Sequence, residues 1–107
     1  MFSFGKKKKE SALKAFYVFQ GRVLDREKLG QYAAAAGKTV AAHGGEIMLR
    51  GGLVSVLAGE DHNLVGVIGF PTVDAAKKWY DSRDYQALIE TRDAGAAFRI
   101  SLYQTIE

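Results

Sequence analysis

Two histidines, six arginines and a group of aromatics are the side chains here best able to do chemistry, and their spacing removes most familiar reactions. His43 and His62 stand alone, with no third ligand in a metal-binding pattern, so no metal site is expected. The chain has no cysteine, which excludes disulfides and thiolate metal sites. There is no phosphate-binding glycine loop and no nucleophile elbow. Ser55, Ser82 and Ser101 lack a convincing base partner, and no motif calls for a cofactor. Six candidates remain: Tyr32, His43, Arg50, Trp79, Tyr85 and Arg92. Arg50 or Arg92 can hold a carboxylate through two parallel N–H bonds. Tyr32 and Trp79, with Tyr85, can line an aromatic pocket between helices and sheet. His43 can exchange protons near neutral pH, which makes it the candidate catalytic residue. Each has a plainer reading too. Tyr32 and Trp79 fall on the apolar stripes of their helices, His43 sits where it would cap a helix, and Arg50 can pair with a surface acid.

The segment His43 to Gly52 has to position these groups, because two glycine pairs bracket its strand. Gly44 and Gly45 can end the preceding helix, since glycine adopts left-handed angles without a Cβ penalty. Strand alternation puts Glu46, Met48 and Arg50 on one face, Ile47 and Leu49 on the other. Gly51 and Gly52 then predict a bulge, with the strand resuming over Leu53 to Ala58. A bulge there leaves Arg50 beside exposed backbone amides, an arrangement that suits a small anion near the end of the first helix, with help from His43.

Around this segment the chain alternates between two periodicities. Ala15 to Val23 is rich in Phe, Tyr and Val and reads as a strand with apolar groups on both faces. Asp25 is a good N-cap for a helix over Arg26 to Ala42, whose stripe is Leu29, Tyr32, Ala33, Ala36 and Val40. Gly59 to His62 is a polar turn, and Asn63 to Phe70 is a third strand, antiparallel to the second and again apolar on both faces. Pro71 and Thr72 open a second helix with Val73, Ala76, Trp79 and Tyr80 inward. Asp81 and Ser82 break it, a short helix spans Asp84 to Asp93, Gly95 stops it, and Ala97 to Ile106 is the last strand. The order β-α-β-β-α-β is the ferredoxin-like split arrangement: α+β, a four-stranded antiparallel sheet with helices on one face. Strands apolar on both sides leave the uncovered face in need of a partner, and a second copy of the sheet is the simplest one.

At 107 residues a single domain is expected, over residues 15–107, after a flexible basic tail at 1–14. That tail holds Lys6, Lys7, Lys8, Lys9 and Lys14 against Glu10 alone, whereas the remainder carries ten Lys and Arg against eleven Asp and Glu. The body is therefore nearly neutral, which disfavours nucleic-acid binding by a basic face. No apolar run approaches the roughly 18 residues of a membrane span. No apolar stretch follows the lysines as in a secretory signal. The expectation is a cytoplasmic protein without stable membrane association.

These residues resemble the domain-of-unknown-function family numbered 1330, within the dimeric α+β barrel superfamily. The resemblance is carried by Gly21-Arg22-Val23, Tyr32, Gly44-Gly45, Arg50-Gly51-Gly52, Phe70-Pro71 with Ala75-Ala76, Trp79-Tyr80-Asp81-Ser82 with Asp84-Tyr85, and Arg92. It covers about residues 15–105 and implies a compact homodimer in which two sheets meet, forming a dimeric α+β barrel. It implies no reaction. Members show Glu-Gly after the second strand, where this chain has Ala58-Gly59-Glu60, so a role for that glutamate does not carry over.

Two function classes follow. One is a protein that binds a small carboxylate-bearing or aromatic molecule near Arg50. The alternative is an enzyme like the cofactor-independent oxygenases and isomerases built on dimeric α+β barrels, an inference from fold alone. Haem handling would need an axial histidine exposed in a cavity. The concentration of charge in the tail yields a first prediction. Deleting residues 1–11 leaves the thermal midpoint nearly unchanged in a scanning calorimetry trace; a fall of several degrees would show Phe2 or Phe4 packing into the domain.

Overall fold

The computed structural model describes residues 13–106. Along this span the elements are β1 (Ala15–Val23), α1 (Arg26–Ala42), β2 (Glu46–Gly52), β3 (Leu64–Phe70), α2 (Val73–Asp81), α3 (Arg83–Gln86), α4 (Ile89–Gly95) and β4 (Ala96–Gln104). The sheet runs β2-β3-β1-β4, every neighbouring pair antiparallel. The expected α+β, ferredoxin-like arrangement is what forms. The expected basic tail lies, apart from Leu13 and Lys14, outside the described residues. Lys14 joins the sheet's end: its N–H donates to the Phe70 carbonyl at 3.0 Å.

Local chemistry sets the helix ends. The Asp25 carboxylate accepts from Lys28 N at 3.1 Å and the Thr72 hydroxyl from Ala75 N at 2.9 Å, each satisfying a first-turn amide. At the other end of α1, Gly44 takes φ +78°. Its N–H reaches Ala41 O, and Gly45 N–H reaches Val40 O, the paired bonds of a Schellman cap. Gly45 must also lack a side chain, because a Cβ there would meet the Phe70 ring at 2.5 Å.

β1 shows why the sheet needs two coverings. Ala15, Tyr17, Phe19 and Gly21 are buried and face the helices. They pair with Phe70, Ile68, Gly66 and Leu64 on one side and with Gln104, Leu102, Ile100 and Phe98 on the other. Phe16, Val18 and Gln20 alternate with them on the outer face and are only half-buried. Phe16 stacks on Tyr103 there at 5.4 Å between ring centroids.

Three expectations from the sequence need correction. First, the second strand does not resume at Leu53. β3 has seven residues, and Glu46–Gly52 already occupies six of them, from Gly69 back to Leu64. After Leu53 N–H bonds Asn63 O at 2.8 Å, the chain leaves the sheet, and Val54–His62 belongs to no strand. Second, the bulge falls between Ile47 and Leu49, not at Gly51 and Gly52. Ile47 pairs with Ile68 on the helix side, Leu49 with Val67 on the outer side, and Arg50 with Gly66, back on the helix side. One extra residue thus turns Arg50 away from the face that simple alternation assigns. Third, the short helix expected over Asp84 to Asp93 is two pieces, α3 and α4, separated at Ala87 and Leu88. The break lets α3 sink Tyr85 into the core while α4 continues to Gly95, which lies against α1.

Gly95 and Gly30 respond oppositely to the same change. A Cβ on Gly95 would come within 2.6 Å of Leu29 N and 2.8 Å of Leu29 Cα, backbone that cannot yield cheaply. At Gly30, inside α1, a Cβ meets nothing within 4 Å. Gly95→Ala should lose about 2–3 kcal/mol of unfolding free energy in urea titrations. Gly30→Ala should gain about 0.5–1 kcal/mol.

Candidate functional site

α1 spans β2 and β3 without filling the space beneath it. The stripe it turns to the sheet includes Ala33, Ala36 and Gly37, and the strands opposite contribute Gly51, Gly52 and Gly66. Small residues facing small residues leave a cavity of about 600 Å³, open at one side. Phe19, Leu29, Val40, Ile47, Ile68 and Phe98 make most of its wall apolar.

Few polar groups reach it. Asn63 is already committed, its Oδ1 accepting from Val23 N at 2.9 Å and holding the end of β1. Arg26 and Arg50 also line it. They share one end of the cavity, because β1 ends, α1 begins and β2 ends at the same edge of the sheet. Neither has an ion pair or side-chain hydrogen bond among the described residues. Arg50 is there through the bulge; Arg26 is there as the first residue of the stripe continued by Leu29, Ala33, Ala36 and Val40. Sequence reading missed Arg26 by starting that stripe at Leu29, one turn late.

Behind Tyr32, which closes the cavity on the side of α3, lies a polar aromatic cluster. The Tyr32 and Tyr85 hydroxyls are 2.8 Å apart. Arg92 Nη1–H donates to the Tyr85 hydroxyl at 3.1 Å and to Tyr80 at 3.0 Å, and its Nε–H donates to Asp93 at 3.0 Å. Trp79 packs on Tyr85 at 4.2 Å between centroids and donates Nε1–H to Thr39 Oγ1 at 2.9 Å, while that hydroxyl donates to Ala36 O. Tyr17 completes the group, stacked on Tyr80 and donating to Ala76 O at 2.8 Å.

The electrostatics of this cluster favour neutral phenols and a charged guanidinium. Burial pushes the Tyr17 phenol up to about 12, with the Asp81 charge adding to it. Burial, then the Tyr85 neighbour, holds Tyr32 far above the ordinary tyrosine range. Tyr85 is raised by burial, against the opposing hydrogen bonds from Tyr32 and Arg92. For Arg92 burial works against the charge, but the bonds to Tyr80, Tyr85 and Asp93 outweigh it and raise its value further. At neutral pH Tyr17, Tyr32 and Tyr85 can donate and accept hydrogen bonds; none of the three is a base.

The six candidates thus fall in three places. Tyr32, Trp79, Tyr85 and Arg92 come together, with Trp79 and Tyr85 fully buried. Arg50 meets this group only through the cavity that Tyr32 also lines. His43 is separate: it caps α1, its Nδ1 lies 2.9 Å from Thr39 O, and it does not line the cavity. A seventeen-residue helix puts it roughly 25 Å from Arg26, so His43 and Arg50 do not share a ligand end. Tyr17, Thr39 and Tyr80 are the members that sequence reading did not assign, although Tyr80 was visible on the inward side of its helix.

Among the described residues no helix is long and apolar enough to cross a membrane. Solved structures with the same architecture include the RPA0582 protein of unknown function from Rhodopseudomonas palustris, 17% identical over 91% of this chain and 85% of that one, with a TM-score of 0.76. SnoaB, a cofactor-independent oxygenase from Streptomyces nogalater, is 12% identical over 89% and 95% of the two chains, with a TM-score of 0.66. A dimeric ferredoxin-like protein of unknown function from Thermobifida fusca is 15% identical over 87% and 92%, with a TM-score of 0.62. At these identities the likeness is one of fold. No curated protein matches the chain. The model of a domain of unknown function, DUF1330, matches residues 14–106, nearly all of the sequence, and the chain belongs to that family.

Proposed function

We propose that this protein binds a small amphipathic anion, an apolar or aromatic body bearing a carboxylate, in the cavity beneath α1. The observation that carries the reading is the bulge at Met48, which turns Arg50 toward a mostly apolar hollow where no acid of the described chain answers it. The apolar wall takes the body of the ligand, and the Arg50 fork takes its carboxylate at the open end, with Arg26 as a second cation. An exposed arginine costs little to leave unpaired, so such a site can wait for its ligand without destabilising the fold.

Isothermal titration with octanoate, 2-naphthoate and their methyl esters tests this. Arg50→Met keeps most of the side-chain volume and removes the fork. Carboxylate affinity should fall at least tenfold while the thermal midpoint stays within a degree or two and the esters bind both proteins equally weakly. Unchanged carboxylate affinity would overturn the reading. A loss of several kcal/mol of stability would instead make Arg50 half of a structural pair.

A second reading, an oxygenase- or isomerase-like enzyme, draws support from Tyr32, a cavity-lining phenol backed by Tyr85 and Arg92. In that reading Tyr32 orients or donates a hydrogen bond to substrate and does not abstract a proton, because its phenol titrates far above neutrality. Ligand binding or turnover should therefore show no inflection from Tyr32 between pH 6 and 9. Stability carries the complementary signature. Unfolded tyrosines ionise near pH 10, whereas Tyr17, Tyr32 and Tyr85 resist ionisation in the fold. Their contribution is fully present below pH 10 and is lost as pH rises above it, so the urea midpoint should decline steadily from pH 10 to 12.

The dimer belongs to the same proposal. On the outer face Phe16, Val18, Val65, Val67 and Leu49 form a half-exposed apolar surface, of the kind soluble monomers seldom leave open. A second copy covers it by the same residues used twice.

A further inference from the structure

One uncharged, apolar stretch of this chain that reads as a strand is not one. Leu53-Val54-Ser55-Val56-Leu57-Ala58 has no charge, glycine or proline, yet no strand pairs with it. Val54 is 97% exposed and Leu57 94% exposed, and Leu53 and Val56 are nearly half-exposed. Its backbone is equally unserved. Between Leu53 N–H on Asn63 and Asn63 N–H on Gly21, the described residues contain no backbone hydrogen bond from Val54 to His62. The stretch stands away from its own sheet, with a hollow of about 560 Å³ between it and Gln20, Leu64 and Val65.

Its sequence says what pairs with it. Leu53-Val54-Ser55-Val56-Leu57 reads the same in both directions about Ser55, with small residues, Gly52 and Ala58, at the next pair outward. In an antiparallel pair of two identical strands with a two-fold axis at Ser55, Leu53 faces the partner's Leu57, Val54 the partner's Val56, and Ser55 its own copy. Like apolar side chains then stand opposite each other, and no charge repels across the axis.

We propose that residues 53–57 form an intersubunit strand, pairing antiparallel with the same residues of a second copy about an axis through Ser55. The two arms satisfy each other's free backbone groups and bury Val54 and Leu57. This goes beyond the ligand site, and it adds a backbone pairing to the sheet-face contact of the proposed dimer.

The absence of cysteine makes the test direct. In the pair, Ser55 and its copy have Cα atoms about 4.5–5.5 Å apart, inside disulfide range. Ala58 and its copy are separated by six ladder positions, about 20 Å, far outside it. Full-length Ser55→Cys should become a covalent dimer under mild oxidation on a non-reducing gel, and Ala58→Cys should not. Val54→Asp with Leu57→Asp should weaken dimerisation at least tenfold by light scattering across a dilution series, with the circular dichroism spectrum unchanged. A wild-type dimer in which Ser55→Cys fails to cross-link, or both cysteines cross-link alike, overturns the register. A Val54→Asp, Leu57→Asp protein that dimerises as tightly as wild type overturns the arm contact and shows the arm covered by another segment or partner. A monomeric wild type overturns the proposal at its root, and leaves the titrations with carboxylates as an independent measure of the ligand site.

Discussion

Trp79 is the side chain on which the helical layer converges. Its ring is fully buried against Tyr17 from β1, Phe70 from β3 and Tyr85 from α3. Its indole N–H reaches across to Thr39, which ties α2 to α1. Aromatics of this size fix where the helices can stand above the sheet, and protein interiors do not compress to close a gap elsewhere. On the Trp79 side large rings meet large rings and the space is filled. On the β2 side α1 offers alanine and glycine to a sheet that also offers glycine. Packing normally sets large against small, so small against small leaves volume unfilled. The cavity is the consequence of a helix held at a distance set by rings on its other side.

The order of elements was legible because each announces itself locally. Asp25 and Thr72 are caps that need no tertiary help, and the aromatic run of β1 has no competing period. The grouping of Tyr32, Trp79, Tyr85 and Arg92 was within reach for a related reason: all lie on inward helical stripes of neighbouring helices. What failed was the second strand. A bulge has no residue requirement when it forms by a register step at Met48, whereas Gly51-Gly52 looks like one and is only the strand's end. Period-2 counting then grouped Arg50 with Glu46 and Met48, whereas the bulge puts it on the side of Ile47. The reading of Leu53 to Ala58 as strand was sound as local propensity, but propensity cannot say whether a pairing edge is available within one chain.

His43 shows a different limit. Its place in sequence, seven positions before Arg50, suggests a shared site, but an extended strand carries those seven positions the length of the sheet. The imidazole ends up serving its own helix, 2.9 Å from Thr39 O. Arg26, far away in sequence, is the cation that shares the cavity with Arg50. Proximity along a strand separates groups, while the return of the chain through a helix brings distant ones to the same edge.

The bulge at Met48 also acts as a reading frame for the segment that follows it. Every side chain from Leu49 to Gly52 owes its face to one supernumerary residue. Were that residue paired instead of bulged, strict alternation would send the arginine out among the apolar groups of the opposite surface and a leucine inward. A register slip that absorbed the bulge would therefore exchange the character of two surfaces at once, giving a greasier hollow and a charged sheet face, with no substitution of any amino acid. Chains of this architecture that differ by one residue in the second strand need not present equivalent residues to equivalent places, and alignments that slide a gap freely through that strand will assign the wrong side chain to the hollow.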